Sequence, residues 1–308
     1  MRKVFHRKLF KTPKEALAGL AMAGQRKAAL RLDGVVLLGI LAGCWIALGS
    51  IASLVAAGGL PNADPGLVKL VAGITFSPGL MIVVGAGAEL FTGNILYMTV
   101  GLLEGRVTLF AVARSWVLAW VSNFAGSLLV AYLLGFLTDI FGAEPWTSYV
   151  QQVAVSKLSY GWGAAFLRGV GANILVCLAL LISLAAEDIG GKFIAVFFLI
   201  STFVLIGFEH CVANMSIVPI GLLYGADKSI GAMMGRNIIP STLGNMCGGA
   251  LVALAYWCVY LMPSRYANLH NRDISLNMWQ RLVQGELNLK DDGLEREWEV
   301  QKRMITTK

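Results

Sequence analysis

Two eight-residue stretches of this sequence follow one pattern, and each lies within a run of apolar residues. The first is Gly-Ala-Glu-Leu-Phe-Thr-Gly-Asn at residues 87–94, and the second is Gly-Phe-Glu-His-Cys-Val-Ala-Asn at residues 207–214. Both fit Gly-x-Glu-x-x-x-x-Asn. An Asn-x-x-Gly motif follows each stretch, at residues 123–126 and 245–248, so the two pairs of motifs are nearly in register. The chain therefore contains an internal repeat, typical of a pore or carrier built from two related halves.

The composition identifies a membrane protein. Hydrophobic residues make up 57% of the 308 residues and charged residues 14%, whereas soluble domains carry about 25% charged residues. Apolar runs near the length of about 20 residues that crosses a bilayer occur six times, at 34–63, 70–91, 115–138, 169–186, 193–226 and 237–264. We predict an all-α membrane domain over residues 35–262 with six transmembrane helices, of which the second and fifth are interrupted by the repeated stretches.

The basic residues are concentrated at the two ends of the chain, which has a net charge of +7. Six spans put both ends on one side, and the positive-inside rule makes that side the cytoplasm of a cell or plasma membrane. Residues 1–34 are predicted to be a cytoplasmic segment with an amphipathic helix near Ala16–Ala29 along the membrane surface. Residues 263–308 are predicted to be a cytoplasmic tail. We interpret the charge as suited to anionic lipid headgroups rather than nucleic acid, since no recognition motif accompanies it.

The first repeated stretch is predicted to form a loop inside the second span. Gly93 supplies backbone freedom, and Thr92 and Asn94 supply the local hydrogen bonds that irregular backbone needs at membrane depth. A glycine-rich helix that packs closely on its neighbour is the alternative. Glu89 and Glu209 occupy matching places in the repeat, so we expect both to be structural, either capping the interrupted helices or bonding the opposite half.

His210 is the only histidine in a predicted span. An imidazole at membrane depth is predicted to face a cavity and to exchange protons; a structural histidine bonded to a backbone carbonyl is the alternative. Asn214 follows one helical turn later, on nearly the same face, and Asn173 is a candidate pore or helix-pairing residue. Because one histidine stands without a second ligand cluster, no metal site and no cofactor is expected. The five cysteines are interpreted as small apolar residues.

Several other residues are candidates for the pathway itself. Phe76, Leu80, Phe91 and Phe203 are candidates for apolar constrictions, with ordinary core packing as the alternative. Lys157, just outside the fourth span, either draws anions to an outer mouth or is an interfacial lysine. Arg168 stands where an apolar residue is expected, and we assign it no role beyond reaching toward an interface.

Four segments together resemble the formate–nitrite transporter family over about residues 12–262. They are Phe-Ser-Pro-Gly-Leu at 76–80, Glu-Leu-Phe-Thr-Gly-Asn at 89–94, Gly-Phe-Glu-His-x-x-Ala-Asn-Met at 207–215 and Ile-Pro-x-x-Leu-Gly-Asn at 239–245. The resemblance implies an aquaporin-like fold with an inverted repeat, a homopentamer with one pore per protomer, and passage of formate, nitrite, lactate, acetate or hydrosulfide.

The resemblance also implies roles for individual residues. Thr92 would belong to the loop that gates or shapes the pore, and His210 would be the central pore histidine, with Asn173 and Asn214 beside it. Lys157 would stand at the outer entrance. The hydrophobic slits on either side of the histidine would be formed by Phe76, Leu80, Leu90, Phe91 and Phe203.

The sequence therefore favours transmembrane transport of small monovalent anions, linked to protons. A bare anion between two apolar rings would lose its hydration, so it would take up a proton in the vestibule or meet a proton or strong donor at His210. A neutral-solute pore of the aquaporin type is the alternative, although Asn94-Ile95 and Asn214-Met215 stand where Asn-Pro-Ala would be expected. A membrane-embedded enzyme using Glu209 and His210 is the third possibility, but it lacks a second catalytic cluster.

Overall fold

The computed structural model describes residues 10–263, and its regular elements in that range are helices. The predictions for residues 1–9 and for the tail at 264–308 lie outside the described residues. The helices are α1 (Pro13–Ala28), α2 (Leu32–Gly58), α3 (Pro65–Phe76), α4 (Pro78–Ala86), α5 (Phe91–Leu103), α6 (Leu109–Val130), α7 (Trp146–Ser159), α8 (Trp162–Ala185), α9 (Ile189–Ile206), α10 (Cys211–Leu223), α11 (Ile230–Ala232) and α12 (Ile239–Tyr260). The described residues up to Trp257 form one compact unit, and residues 258–263 are the described part of a second.

Within residues 10–263, six helical segments are long and apolar enough to cross a membrane, which confirms the predicted number of spans. They are Leu32–Gly58, Pro65–Ala86, Leu109–Phe136, Trp162–Ala185, Ile189–Ile206 and Ile230–Tyr260. The third and sixth include π-helical segments, at Ala131–Phe136 and Met233–Ile238. The fifth predicted run, at 193–226, is two helices, α9 and the shorter α10, because the chain breaks between them.

Each repeated stretch begins with a glycine in the left-handed conformation, which ends the preceding helix. Gly87 after α4 has φ 71° and Gly207 after α9 has φ 84°, a region that side chains with a Cβ disfavour. The chain then runs on to an extended Leu90, and α5 begins at the next residue. The predicted loop is therefore misplaced by a few residues. Thr92, Gly93 and Asn94 lie in the first turn of α5 and not in the loop.

An asparagine on α6 satisfies the backbone of the first break. The Asn123 side-chain oxygen accepts the Phe91 N–H at 2.8 Å, and its amide nitrogen donates to the carbonyls of Gly39 at 2.8 Å and Glu89 at 2.9 Å. Backbone groups in a membrane need such partners because water is absent there. One side chain therefore ties the break to α2 and to the start of α5.

The second break repeats these contacts. The Asn245 oxygen on α12 accepts the Cys211 N–H at 2.9 Å, and its amide nitrogen donates to the carbonyls of Gly169 at 2.7 Å and Glu209 at 3.0 Å. Asn123 and Asn245 are the first residues of the two Asn-x-x-Gly motifs. The sequence repeat is therefore also a repeat of hydrogen bonds, with α2 and α8 in matching positions.

The predicted amphipathic helix is present as α1, and its apolar face packs against other helices while its opposite face, with Lys14, Met22 and Arg26, is exposed. Its apolar residues, including the fully buried Leu17 and Leu20, face α5 and α8, so this face is not free to lie on a membrane surface. In the second half, α7 packs against α10 as α1 packs against α5. The last turns of α1 and α7 carry Lys27 and Lys157, which brings one lysine to each break.

Candidate functional site

In the part of the chain that the structure describes, two cavities reach the two helix breaks, and their linings share no residue. The first, which we call the His210 cavity, is about 330 Å³ and is lined by His210, Phe76, Phe203 and residues around the second break. The second, the Leu90 cavity, is about 390 Å³ and is lined by Leu80, Leu90 and residues around the first break. The two cavities thus approach the broken helices separately, and buried side chains lie between them.

His210 and Thr92, predicted to work together, are in contact. His210 precedes α10 as its N-cap residue, and its Nδ1 accepts the Ala213 N–H at 3.1 Å. Because Nδ1 is an acceptor, the proton of the neutral ring resides on Nε2. Nε2 lies 2.9 Å from the Thr92 hydroxyl oxygen and donates to it. The hydroxyl hydrogen of Thr92 is then available to another acceptor.

This position of His210 corrects the expected geometry of Asn214. The histidine lies outside the helix, whereas Asn214 lies in the first turn of α10 and directs its amide nitrogen to Glu209 at 2.6 Å. The two side chains therefore do not share a helical face. The left-handed Gly207 is the physical reason, since it ends α9 and leaves His210 in an extended conformation.

Aromatic side chains cover the histidine on the side of its cavity. Phe76 and Phe203 meet edge to face with ring centroids 5.8 Å apart, and the Phe203 ring stacks on His210 at 5.8 Å. Leu80 and Leu90 are buried and line the other cavity. Phe91 lines neither cavity, although its side chain is buried. The structure thus brings four of the five predicted slit residues to the cavities, two to each.

Glu209 is the centre of a buried ionic network. Both carboxylate oxygens lie 3.1 Å from the Lys157 ammonium, and one also accepts the amide nitrogens of Asn214 at 2.6 Å and Asn237 at 2.9 Å. The Glu209 side chain is only 2% exposed. Burying a carboxylate away from water costs free energy, and partners of this kind offset that cost. Lys157 is therefore neither a free entrance cation nor a simple interfacial lysine.

Glu89 makes the equivalent contacts at the first break. One oxygen lies 2.6 Å from the Lys27 ammonium, and the other accepts the Asn94 amide nitrogen at 2.7 Å. The Asn94 amide nitrogen also donates to the Ser115 hydroxyl at 3.2 Å. Within residues 10–263, the side chains of Glu89 and Glu209 thus bond to residues of their own half of the repeat. Contacts to the opposite half, one of the two options considered from sequence, are not formed.

Asn173 ties the two halves together beside the histidine contact. Its amide nitrogen donates to the Asn245 carbonyl at 2.7 Å and to the Thr92 carbonyl at 3.3 Å. Its buried side-chain oxygen has no hydrogen-bond partner among the described residues. This unpaired side-chain oxygen beside Thr92 can accept a hydrogen bond from a donor that occupies the site only briefly.

Arg168 has a definite place that the sequence did not reveal. Its guanidinium donates to the Gly207 carbonyl at 2.9 Å and lies 3.9 Å over the Tyr160 ring. Its backbone carbonyl accepts the Glu209 N–H at 3.2 Å, as the carbonyl of Leu38 accepts the Glu89 N–H at 3.2 Å. Arg168 is thus the repeat counterpart of Leu38, with a charged side chain that stabilises the second break.

No group of three or more histidine, cysteine or acidic side chains that could hold a metal ion occurs between residues 10 and 263. The buried polar groups of this region are instead satisfied mainly by one another. The arrangement as a whole consists of two cavities, each lined in part by large apolar side chains, and one hydrogen-bonded His–Thr pair. His210 of this pair lines the first cavity, and Thr92 is the neighbour of Gly93, which lines the second.

Residues 14–258 match the family model of the formate/nitrite transporter. A protein of Methanothermobacter thermautotrophicus named probable formate transporter is 42% identical over 269 residues, which cover 82% of this chain and 98% of that protein. A solved FNT family ion channel aligns with a TM-score of 0.72 at 29% identity, covering 79% of this chain and 98% of its own. A solved pentameric formate channel with formate bound aligns with a TM-score of 0.66 at 29% identity, covering 75% and 98%. This membrane protein belongs to the formate/nitrite transporter family.

Proposed function

We propose that this protein carries small monovalent anions such as formate, nitrite, lactate or acetate through the membrane, and that a proton moves with the anion. The observation that carries the proposal is the buried hydrogen bond between His210, which lines one cavity, and Thr92, whose neighbour Gly93 lines the other. The names of the relatives support the substrate class, because they describe a probable formate transporter and a formate channel with formate bound.

The apolar walls favour a neutral permeating species. Passing between Phe76 and Phe203, and between Leu80 and Leu90, requires an anion to shed water, at a cost of several kcal/mol or more. Small carboxylic acids have pKa values of about 3–4 in water, and desolvation raises them. An anion that enters a cavity therefore gains a proton more readily there than in bulk water, and the neutral acid crosses the narrow region.

His210 and Thr92 can assist this step in two ways. With a neutral ring, the Thr92 hydroxyl donates a hydrogen bond to the passing oxygen while it accepts one from Nε2. With a protonated ring, Nε2 passes its proton to the Thr92 oxygen as the hydroxyl proton moves to the anion, which leaves a neutral ring with its proton on Nδ1. The second route requires Nδ1 to release the Ala213 N–H, so it couples proton delivery to a local change in the N-cap.

A flux assay in liposomes tests the proposal. Labelled formate, nitrite and lactate are expected to enter protein-containing vesicles faster than empty ones, with faster entry as the pH falls from about 7.5 to 5.5, where proton-linked transport gains driving force. Labelled glycerol is expected to enter at the rate of empty vesicles. Glycerol flux without anion flux would instead identify a neutral-solute pore.

We propose a homopentamer in a cell or plasma membrane, with both chain ends in the cytoplasm and lipids around the outer helices. The similarity to a pentameric formate channel supports the assembly, and the basic chain ends support the orientation. Large apolar side chains such as Leu109, Phe110 and Phe198 are exposed on the single chain, as lipid or subunit contacts require. Native mass spectrometry in mild detergent is expected to show five copies of the 33.0 kDa chain. A monomer or trimer would contradict this assembly.

A further inference from the structure

Each cavity is lined by two cations and one carboxylate among the described residues. The charged side chains of the His210 cavity are Lys69, Lys157 and Glu209. Those of the Leu90 cavity are Arg26, Lys27 and Glu89. Both cavities therefore carry one net positive charge, and the question is which side chain supplies it.

The lysine closest to each break is already compensated. Lys157 lies 3.1 Å from Glu209, and Lys27 lies 2.6 Å from Glu89. All four side chains are less than a fifth exposed. A close pair of opposite charges acts on a distant ion as a dipole, whose field falls off faster than that of a single charge. The two lysines can therefore attract an anion only at short range, where it competes with the carboxylate.

The second cation of each cavity is uncompensated. Lys69 on α3 and Arg26 on α1 are exposed, and neither forms an ion pair with any residue from 10 to 263. Lys69 also lines a neighbouring cavity of about 440 Å³, which shares Tyr149 and Gln152 with the His210 cavity. Lys69 thus lines both of these neighbouring cavities.

We infer that Lys69 and Arg26 are the residues that collect anions, one for each cavity, and that Lys157 and Lys27 act only after the anion has arrived. This inference rests on the proposed function. A single uncompensated charge in a concave site with apolar walls raises the local concentration of anions. Its reach is set by ionic strength, because the Debye length is about 10 Å at 0.1 M and about 30 Å at 0.01 M salt.

The effect is independent of the direction of transport when substrate is dilute. For a passive pathway, the permeability at low substrate concentration is the same in both directions. Removing the collecting cation from either cavity therefore slows influx and efflux equally. Vesicles with mixed protein orientation can therefore be used. The charge affects capture of the anion and not its passage through the narrow region, which gives a distinct kinetic signature.

The test compares Lys69→Gln, Arg26→Gln and the double variant with Lys192→Gln as the matched control, since Lys192 lines neither cavity. At about 0.01 M ionic strength, initial formate uptake from dilute substrate should fall about two- to fivefold for each single variant. The half-saturating concentration should rise by the same factor, with the maximal rate unchanged. At about 0.5 M salt, the variants and the wild type should become equal, because the charge is screened. The control should match the wild type at both salt concentrations.

Two results would overturn the inference while leaving the proposed function intact. The first is that both single variants take up formate at low salt as fast as a wild-type protein that does transport formate. The second is a loss of maximal rate that persists at high salt in variants with the wild-type size-exclusion profile, which would show a structural role. A wild-type protein that moves no anion at all would instead refute the proposed function, and this inference with it.

Discussion

His210→Asn is expected to fold and assemble as the wild type does, yet to transport formate about 100-fold more slowly, the lower end of the rate loss on removing a proton-transfer group. Asparagine is among the best N-cap residues, so its side-chain oxygen can replace Nδ1 as acceptor for the Ala213 N–H. It lacks the Nε2–H that reaches Thr92 and does not titrate. The part of the pH dependence between about 5 and 7.5 that comes from titration of the imidazole should therefore be lost, and the remaining flux should follow pH only through the protonation of the anion itself.

Variants of Thr92 provide the control for this prediction. Thr92→Ser keeps the hydroxyl and is expected to keep both the rate and the pH profile. Thr92→Val keeps the shape, removes the hydroxyl and is expected to reproduce the loss seen in His210→Asn; valine is also what the repeat places at the matching position, Val212. The measurement is formate uptake at several pH values in vesicles of equal protein content. A His210→Asn variant with the wild-type rate and pH profile would show that the histidine is only a helix cap.

The two helix breaks could be predicted because their causes are local. A left-handed glycine, followed closely by an acidic residue and then an asparagine, is unusual within an apolar run, and its recurrence at 207–214 marks a second break. The exact limits could not be read in this way. The glycine at 93 suggested a loop around Thr92, whereas the residue that adopts a positive φ is Gly87. Which of two glycines so close in sequence ends the helix depends on tertiary contacts, and the sequence pattern does not show those contacts.

The charge network could not be predicted because its partners are distant in sequence. Lys27 meets Glu89 across 62 residues, and Arg168 meets Gly207 across 39. Such pairs depend on how α1 and α8 pack against the breaks. One signal was nevertheless present, since Lys27 and Lys157 are separated by about the same interval as Gly39 and Gly169. Arg168 had no such signal, because its repeat counterpart is apolar.

Glu209→Ala is expected to lower stability more than any of the histidine, threonine or cavity-cation variants. Its removal would leave the Lys157 ammonium and the Asn214 amide without their acceptor in a buried site, and the Asn237 amide with only the Lys157 carbonyl at 3.2 Å. Breaking a buried ion pair from one side costs about 3–5 kcal/mol, against a total stability of about 5–15 kcal/mol for a typical domain. We expect a strongly reduced yield of assembled protein and a lower unfolding temperature in detergent.

A double-variant cycle separates the charge from the hydrogen bonds. Glu209→Gln retains an oxygen for the two asparagines but leaves Lys157 uncompensated, so it should be destabilising by itself. Adding Lys157→Met removes the buried charge, and the double variant should regain about 1–3 kcal/mol as coupling energy between contacting residues. Lys192→Met in the Glu209→Gln background is the control and should restore nothing. Strictly additive effects would mean that Lys157 and Glu209 do not stabilise each other.

If the double variant folds, its formate uptake reports on transport alone. We expect this uptake to be slower than that of the wild type at every salt concentration. The reason is that Lys157, the short-range partner of the arriving anion, has been removed, while the collecting charge of Lys69 remains.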